Sequence, residues 1–311
     1  MYQVLLYYKY VNLPNPEIIK EEQKSLCEEL NLKGRIIISS EGINGTLEGT
    51  IRDTEAYISQ NEKNKYFKGI IYKKSEGNGS AFPKLRVRTR PEIVTSGVDN
   101  LNPNKLTGKY ITSKELFSWF DNKKEFYIVD MRNDYEYRSG HFEGSIASGM
   151  KNFFELGKIS NRLSHLKGKT IVTVCTGGVR CEKASGFLLN EGFDNVYQLK
   201  DGIQTFMERY PNKYFKGKLY VFDNRMTIGF NTNSADHEVI GECDFCGKKS
   251  ENYVNCELDY CHRHFICCEN CLDQETGFAF CNAICKQNWK KQTQKRKKID
   301  PKAQTAKNIF I

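Results

Sequence analysis

The sequence predicts a multidomain α/β chain: a small α+β sandwich, a parallel α/β domain, and a cysteine-rich module built on metal. Three observations carry this. Residues 1–98 read in the order β-α-β-β-α-β. Residues 110–215 alternate short apolar runs with amphipathic stretches, the pattern of a parallel sheet. Nine of the twelve cysteines fall between Cys243 and Cys285, a clustering that suits a metal site in a reducing compartment better than a secreted disulfide framework.

The first segment opens with VLLYYKYV, a strand, and a helix with Pro near its first turn from about Pro16 to Leu30. GRIIISS and EGINGTLEG follow as strands joined by a turn. A second helix covers about Asp53 to Asn61, GIIYKKSE follows, and FPKLRVRTRPEIV closes the segment as a strand. That order is the ferredoxin-like sandwich. Within the last strand Arg86, Arg88 and Arg90 alternate, so they share one face, as RNA-contacting groups or as a solvated stripe. Together with Glu41, Gly42 and Asn44 of the turn they are the candidates for contact with a substrate.

Residues 99–109, rich in Asn and carrying Pro and Gly, form an irregular linker. ITSKELFSWFDN is a helix capped by Thr112 or Ser113. FYIVD and KTIVTV are buried strands, EKASGFLLNEGF is an amphipathic helix ending at Gly192, and NVYQLKDGI is a further strand and turn. Residues 216–290 open with KLYVFDNRM, a strand that can pair with TIGFN, and continue into the cysteine cluster. The tail, 291–311, is basic, and seven Lys or Arg lie between Lys286 and Lys298 with Trp289 among them. Such a segment suits phosphates and a stacked base, or is a solvated tail. The net charge of +9 fits a polyanionic partner. No run of 18 apolar residues exists and no secretory leader is evident, so a cytoplasmic protein is expected, with no membrane partner.

The most informative stretch is IVTVCTGGVRCEKASGFLL, Ile171 to Leu189. A strand leads into Cys175, a glycine-rich turn follows, and a helix begins at about Cys181. The backbone N–H groups of Thr176, Gly177, Gly178 and Val179, the helix N-terminus and Arg180 all favour an anionic sulfur. Cys175 is therefore the expected nucleophile, with Cys181 as a resolving thiol, a second activated thiol or a packing residue. Four residues separate Cys175 from Arg180, one fewer than in a protein-tyrosine-type phosphate cradle. The C-terminal cysteines come as Cys243/Cys246, Cys256/Cys261, Cys268/Cys271 and Cys281/Cys285. Four closely spaced pairs make two structural zinc sites of four thiolates, by sequential or interleaved pairing. His262 and His264 are alternative ligands but are expected at the surface.

The loop resembles that of rhodanese domains, whose cysteine carries a persulfide. Upstream, IVDMRNDYEYRSGHFEGSIA resembles a rhodanese signature in which Asp130, Arg132, Glu136 and His141 support the loop. With SSEGINGTLEG, KLRVRTRPEIVTSGV, VFDNRM and CEKAS, the whole chain resembles the bacterial tRNA uridine(34) hydroxylase family. That resemblance implies oxygen-dependent conversion of uridine 34 in the tRNA anticodon to 5-hydroxyuridine, with tRNA as partner, molecular oxygen as co-substrate and Cys175 as the reactive thiol. No flavin or haem motif is evident. Two readings compete: a sulfurtransferase that takes sulfur from a donor onto Cys175 and passes it to a thiophile or to tRNA, and a non-catalytic tRNA-binding scaffold.

Overall fold

A computed structural model describes residues 1–261 and 263–299, with side chains described as far as residue 294. One compact unit spans Met1–Glu238 and a second begins at Val239.

The first unit starts with β1 (Tyr2–Tyr10), α1 (Pro16–Glu29), β2 (Lys33–Ser39), β3 (Gly42–Thr50), α2 (Ile51–Lys63), β4 (Lys73–Gly77) and β5 (Leu85–Thr89). These strands form one sheet in the order β4-β1-β3-β2-β5. The first four give the antiparallel ferredoxin-like arrangement, and β5 adds a fifth strand parallel to β2. Pro16 stands in the first turn of α1, and the Thr50 hydroxyl caps α2 by accepting the Asp53 N–H at 3.2 Å. Leu5, Tyr7, Ile36, Ile38, Ile43 and Leu47 alternate onto one face and pack with Cys27 and Tyr57 of the helices. The opposite face of this sheet carries no helix of its own sandwich, and its use is described below.

A parallel sheet follows, in the order β6-β11-β10-β7-β9. Its strands are β6 (Lys109–Ile111), β7 (Tyr127–Asp130), β9 (Ile146–Ala147), β10 (Thr170–Val174) and β11 (Asn195–Leu199). The helices around them are α3 (Ser113–Asp121), α4 (Asp134–Ser139), α5 (Ile159–Arg162), α6 (Val179–Asn190) and α7 (Gly202–Arg209). Thr112 and Glu115 close a full capping box on α3. Strand β10 is buried on both faces: Ile171 joins one core, Val172 and Val174 the other. Short antiparallel pairs complete the unit, β8 (Gly140–Phe142) with β12 (Phe215–Gly217) and β13 (Leu219–Tyr220) with β14 (Thr227–Ile228).

In the second unit β15 (Tyr253–Asn255) and β16 (His264–Ile266) form a hairpin, and α8 spans Ala283–Ile299. Its small core joins Leu258, Phe265 and Phe280 to the cysteines. Trp289 packs with its ring edge-on to Phe278 and Phe280, 5.5 Å from each. That contact uses the ring as core, not as an open stacking surface. Lys290 pairs with Glu275 at 2.6 Å, and Lys286 pairs with Asp273. His262 and the tail beyond residue 299 lie outside the described residues.

Candidate active site

Strand β10, the central strand, ends at Val174 and delivers Cys175 to the C-terminal end of the parallel sheet. The helix after the loop starts at Val179, two residues earlier than the sequence suggests. Gly178, at φ +103°, is its N-cap, so the chain enters the helix directly from a left-handed residue. Arg180 thus stands in the first turn of α6. The loop carbonyls are fixed from outside: Ile203 N–H donates to Cys175 O at 2.9 Å and Gln204 N–H to Thr176 O at 3.1 Å. The N-terminus of α7 therefore supports the loop from behind.

The Cys175 sulfur accepts the Gly178 N–H at 3.2 Å. Burial pushes its pKa up. The Cys181 thiol and N–H, the Arg180 charge and the Gly178 N–H outweigh that and bring it down to about 6. Cys181 moves the opposite way, pushed well up by burial and by the Cys175 sulfur beside it. The opposite shifts make Cys175 the more acidic thiol of the pair.

Arg180 makes a bidentate pair with Glu136, at 2.6 and 2.7 Å, and reaches Thr176 Oγ1 at 3.3 Å. Burial pulls its pKa down, but the Glu136 carboxylate more than offsets this and keeps it fully charged. Asp130 and Arg132 form a second fully buried pair, at 2.6 Å, and Arg132 also donates to Gly140 O at 2.6 Å. His141 stacks flat on Tyr137 with ring centres 4.0 Å apart. Its Nδ1 lies 3.0 Å from Tyr137 O, and burial lowers its pKa. These contacts bind strand, turn and loop together.

The mouth of the site is built by the first domain. The helix-free face of its sheet presents Leu6, Tyr8, Arg35, Ile37, Asn44 and Thr46 to a cavity of about 320 Å³. Cys175, Thr176, Gly177, Val179 and Arg180 line the other side, with Phe222 at the rim. The approach is close, and any side chain at these two glycines would push the facing side chains aside. A Cβ on Gly177 would lie 2.9 Å from Leu6, and one on Gly178 would lie 2.7 Å from the Tyr8 hydroxyl. Tyr8 also donates to Glu182 at 3.0 Å, and Tyr10 donates to Val179 O at 3.1 Å. Glu182 is buried and additionally accepts from Tyr110, Thr107 and Gln198.

The sequence-selected residues of the first domain divide. Asn44 lines the cavity and donates to Ile93 O at 3.1 Å. Glu41 does not line it: its carboxylate accepts the Ile93 N–H at 2.7 Å and pairs with the buried Lys183 of α6 at 2.9 Å. Arg86 and Arg88 are exposed on β5 and pair in register with Arg35 and Ile37. They therefore extend the cavity-facing side of the sheet outward, and exposed Arg90 follows them. Sequence reasoning did not single out Leu6, Tyr8, Arg35, Ile37, Glu182 or Phe222. One signal for the first two was present: VLLYYKY is apolar on both alternating faces, which marks a strand covered on both sides.

In the second unit the eight cysteines converge as two groups, Cys243/Cys246/Cys268/Cys271 and Cys256/Cys261/Cys281/Cys285. Pairing is thus interleaved, not sequential. Within each group all sulfurs lie within 4.8 Å of one another. Sulfur–sulfur distances of 3.6 Å (Cys246–Cys268), 3.5 Å (Cys261–Cys281) and 3.4 Å (Cys281–Cys285) approach the edge of about 3.8 Å that tetrahedral Zn–S bonds of ~2.3 Å require. The donor sets fit a metal ion. Cys267 belongs to neither group, and His264 lies in β16 outside both.

Comparison with known proteins agrees with this layout. Residues 2–93 match the UPF0176 acylphosphatase like domain, residues 112–209 the rhodanese-like domain, and residues 216–286 the rhodanase C-terminal family. A protein of Bacillus licheniformis named tRNA uridine(34) hydroxylase is 43% identical over 272 residues, covering 86% of this chain and 84% of its own length. Its namesake in Bacillus cytotoxicus is 42% identical, covering 86% and 83%. Among solved structures, the rhodanese-like domain of an Anabaena protein overlays 36% of this chain and 80% of its own, at 22% identity and a TM-score of 0.31.

Proposed function

This chain belongs to the tRNA uridine(34) hydroxylase family, and from that premise we propose that it converts uridine 34 of the tRNA anticodon to 5-hydroxyuridine with Cys175 as its reactive group. The observation that carries the reading is the Cys175 thiolate facing a cavity walled by two domains. A uracil ring taken out of the anticodon stack can enter such a space. The Cys175 thiolate adds to C6 and its electron pair becomes the new S–C6 bond. The C5–C6 π electrons move onto C5 and O4. C5, now electron-rich, forms a bond to molecular oxygen, the proposed co-substrate. The outer oxygen must then leave as water, which takes two electrons and two protons from a thiol reductant, before Cys175 is released from C6 and the ring is restored.

Thr176, Gly177, Gly178 and Val179 give the loop its anion-favouring backbone, and Arg180, clamped by Glu136, adds fixed positive charge beside it. In this reading Asn44 and Arg35, which line the cavity, contact the base, and the exposed Arg86, Arg88 and Arg90 beside them contact the flanking phosphates. The two four-sulfur groups are assigned to structural zinc, which would supply much of the second unit's folding energy. The reading places the enzyme in the cytoplasm, where tRNA and a reducing thiol pool occur together.

The test is nucleoside mass spectrometry of tRNA from a deletion strain. Wild-type complementation restores 5-hydroxyuridine at position 34, and Cys175→Ser does not; an undiminished level in the variant would end the catalytic assignment. One observation favours a second reading. The short Cys175–Arg180 loop suits a persulfide, so sulfur taken from a donor could pass to a thiophile instead. Thiosulfate-to-cyanide transfer with no change in tRNA would identify that activity.

A further inference from the structure

Hydroxylation with molecular oxygen leaves a second oxygen atom to be reduced. One atom enters uridine, and the other leaves as water only if two electrons and two protons arrive from elsewhere. We infer that Cys175 and Cys181 form a dithiol that supplies those two electrons and ends each turnover as a disulfide. This rests on the hydroxylase reading and extends it to Cys181.

The placement comes from the fold. Cys181 sits in the first turn of α6, three residues past the left-handed Gly178, whose carbonyl accepts the Cys181 N–H at 3.0 Å. Both cysteines are fully buried in the same core cluster, and both are free thiols. The Cys181 thiol interacts with the Cys175 sulfur. The other cysteines are committed elsewhere: Cys27 lies in the core beneath the first sheet, and the remaining nine belong to the second unit, eight of them in the four-sulfur groups. The protonated state of Cys181 suits a group that gives up a proton while its partner acts as nucleophile.

The chemistry balances as follows. With Cys175 bonded to C6, oxygen joined at C5 stands as a hydroperoxide. The C5 proton leaves, the O–O bond breaks, the outer oxygen departs as water and C5 becomes a carbonyl. The Cys181 sulfur then attacks the Cys175 sulfur: the S–S bond forms, the S–C6 bond breaks, and its electron pair passes through the C5–C6 bond to the C5 oxygen, freeing 5-hydroxyuridine. The sum is one uridine, one dioxygen and two thiols giving one 5-hydroxyuridine, one disulfide and one water. An external thiol reductant must reopen the disulfide before the next turnover.

The experiment uses the full chain, reduced, freed of reductant without oxygen, then mixed with unmodified tRNA in oxygenated buffer. Trypsin cuts after Arg180, so the disulfide would join peptide Thr170–Arg180 to Cys181–Lys183. The expected result is no more than one 5-hydroxyuridine per enzyme, matched by an equal amount of that cross-linked pair, with many turnovers once dithiothreitol is added. Cys181→Ser should need excess small thiol and run about tenfold or more slower at millimolar thiol, because a tethered thiol has the advantage of proximity. Product formed in stoichiometric amount with Cys175 and Cys181 both still open to alkylation overturns the dithiol while leaving the hydroxylase reading intact. No 5-hydroxyuridine even with dithiothreitol and oxygen overturns the hydroxylase reading, and the dithiol with it.

Discussion

Cys175 is buried, yet its thiol ionises near 6 because converging donors and the Arg180 charge outweigh desolvation. Its pKa is lowered, so the reactive form is present above about 6 and is lost as pH falls through that value. Reaction with a small alkylating reagent at Cys175, or single-turnover hydroxylation, should be flat from neutral pH upward and fall roughly tenfold per unit below pH 6. A profile still rising toward pH 9 would show an unassisted thiol. Glu136 is the residue on which this depends indirectly. Glu136→Gln leaves the Arg180 guanidinium buried without its countercharge, at a cost of about 3–5 kcal/mol measured by urea unfolding. The sequence pattern named Glu136 and Arg180 separately. Their 44-residue separation hid the fact that they are one bidentate pair.

At the scale of elements, α6 ties the domains together. Lys183, fully buried, donates to Glu92 at 2.6 Å and pairs with Glu41 at 2.9 Å. Lys183→Met strands two carboxylates that keep some water, so the expected loss is about 3 kcal/mol, at the low end for a broken buried pair, again read from urea unfolding. The interleaved cysteine groups make a second prediction. On the proposed zinc assignment, Cys256→Ser should lose about half of the metal and unfold part of the second unit, whereas Cys267→Ser should keep its full metal content, both measured by metal analysis and circular dichroism. The spacing of the cysteines showed four chelating pairs. It could not choose their partners, because that depends on how the β15–β16 hairpin and α8 bring distant pairs together.

Over the whole first unit, the cavity belongs to neither domain alone. The sheet of the first domain spends one face on its own helices and the other on the Cys175 loop, and its β5 edge carries the arginines outward from the cavity rim. If anticodon phosphates follow that edge, Arg86→Glu and Arg88→Glu should each weaken tRNA binding, and the salt dependence should fall by about one unit of slope per arginine removed. The pH profile of Cys175 should not move. Equal binding and an unchanged salt slope would place the tRNA elsewhere.

The sequence by itself determined the chain order of the elements, the Cys175–Arg180 loop, its signature partners and four close pairs of cysteines, because each is written in local spacing: alternation, helix caps, glycine turns and short paired cysteines. Only the tertiary structure decided which long-range contacts close the site. Tyr8 over Gly178, Arg180 on Glu136, Lys183 between Glu41 and Glu92, and the crossed cysteine pairs all join residues far apart in the chain. Glu41, offered by the sequence as a substrate contact, is held in an ion pair by a lysine more than a hundred residues away. Local pattern specifies what each segment is, and packing of the two domains specifies what each side chain faces.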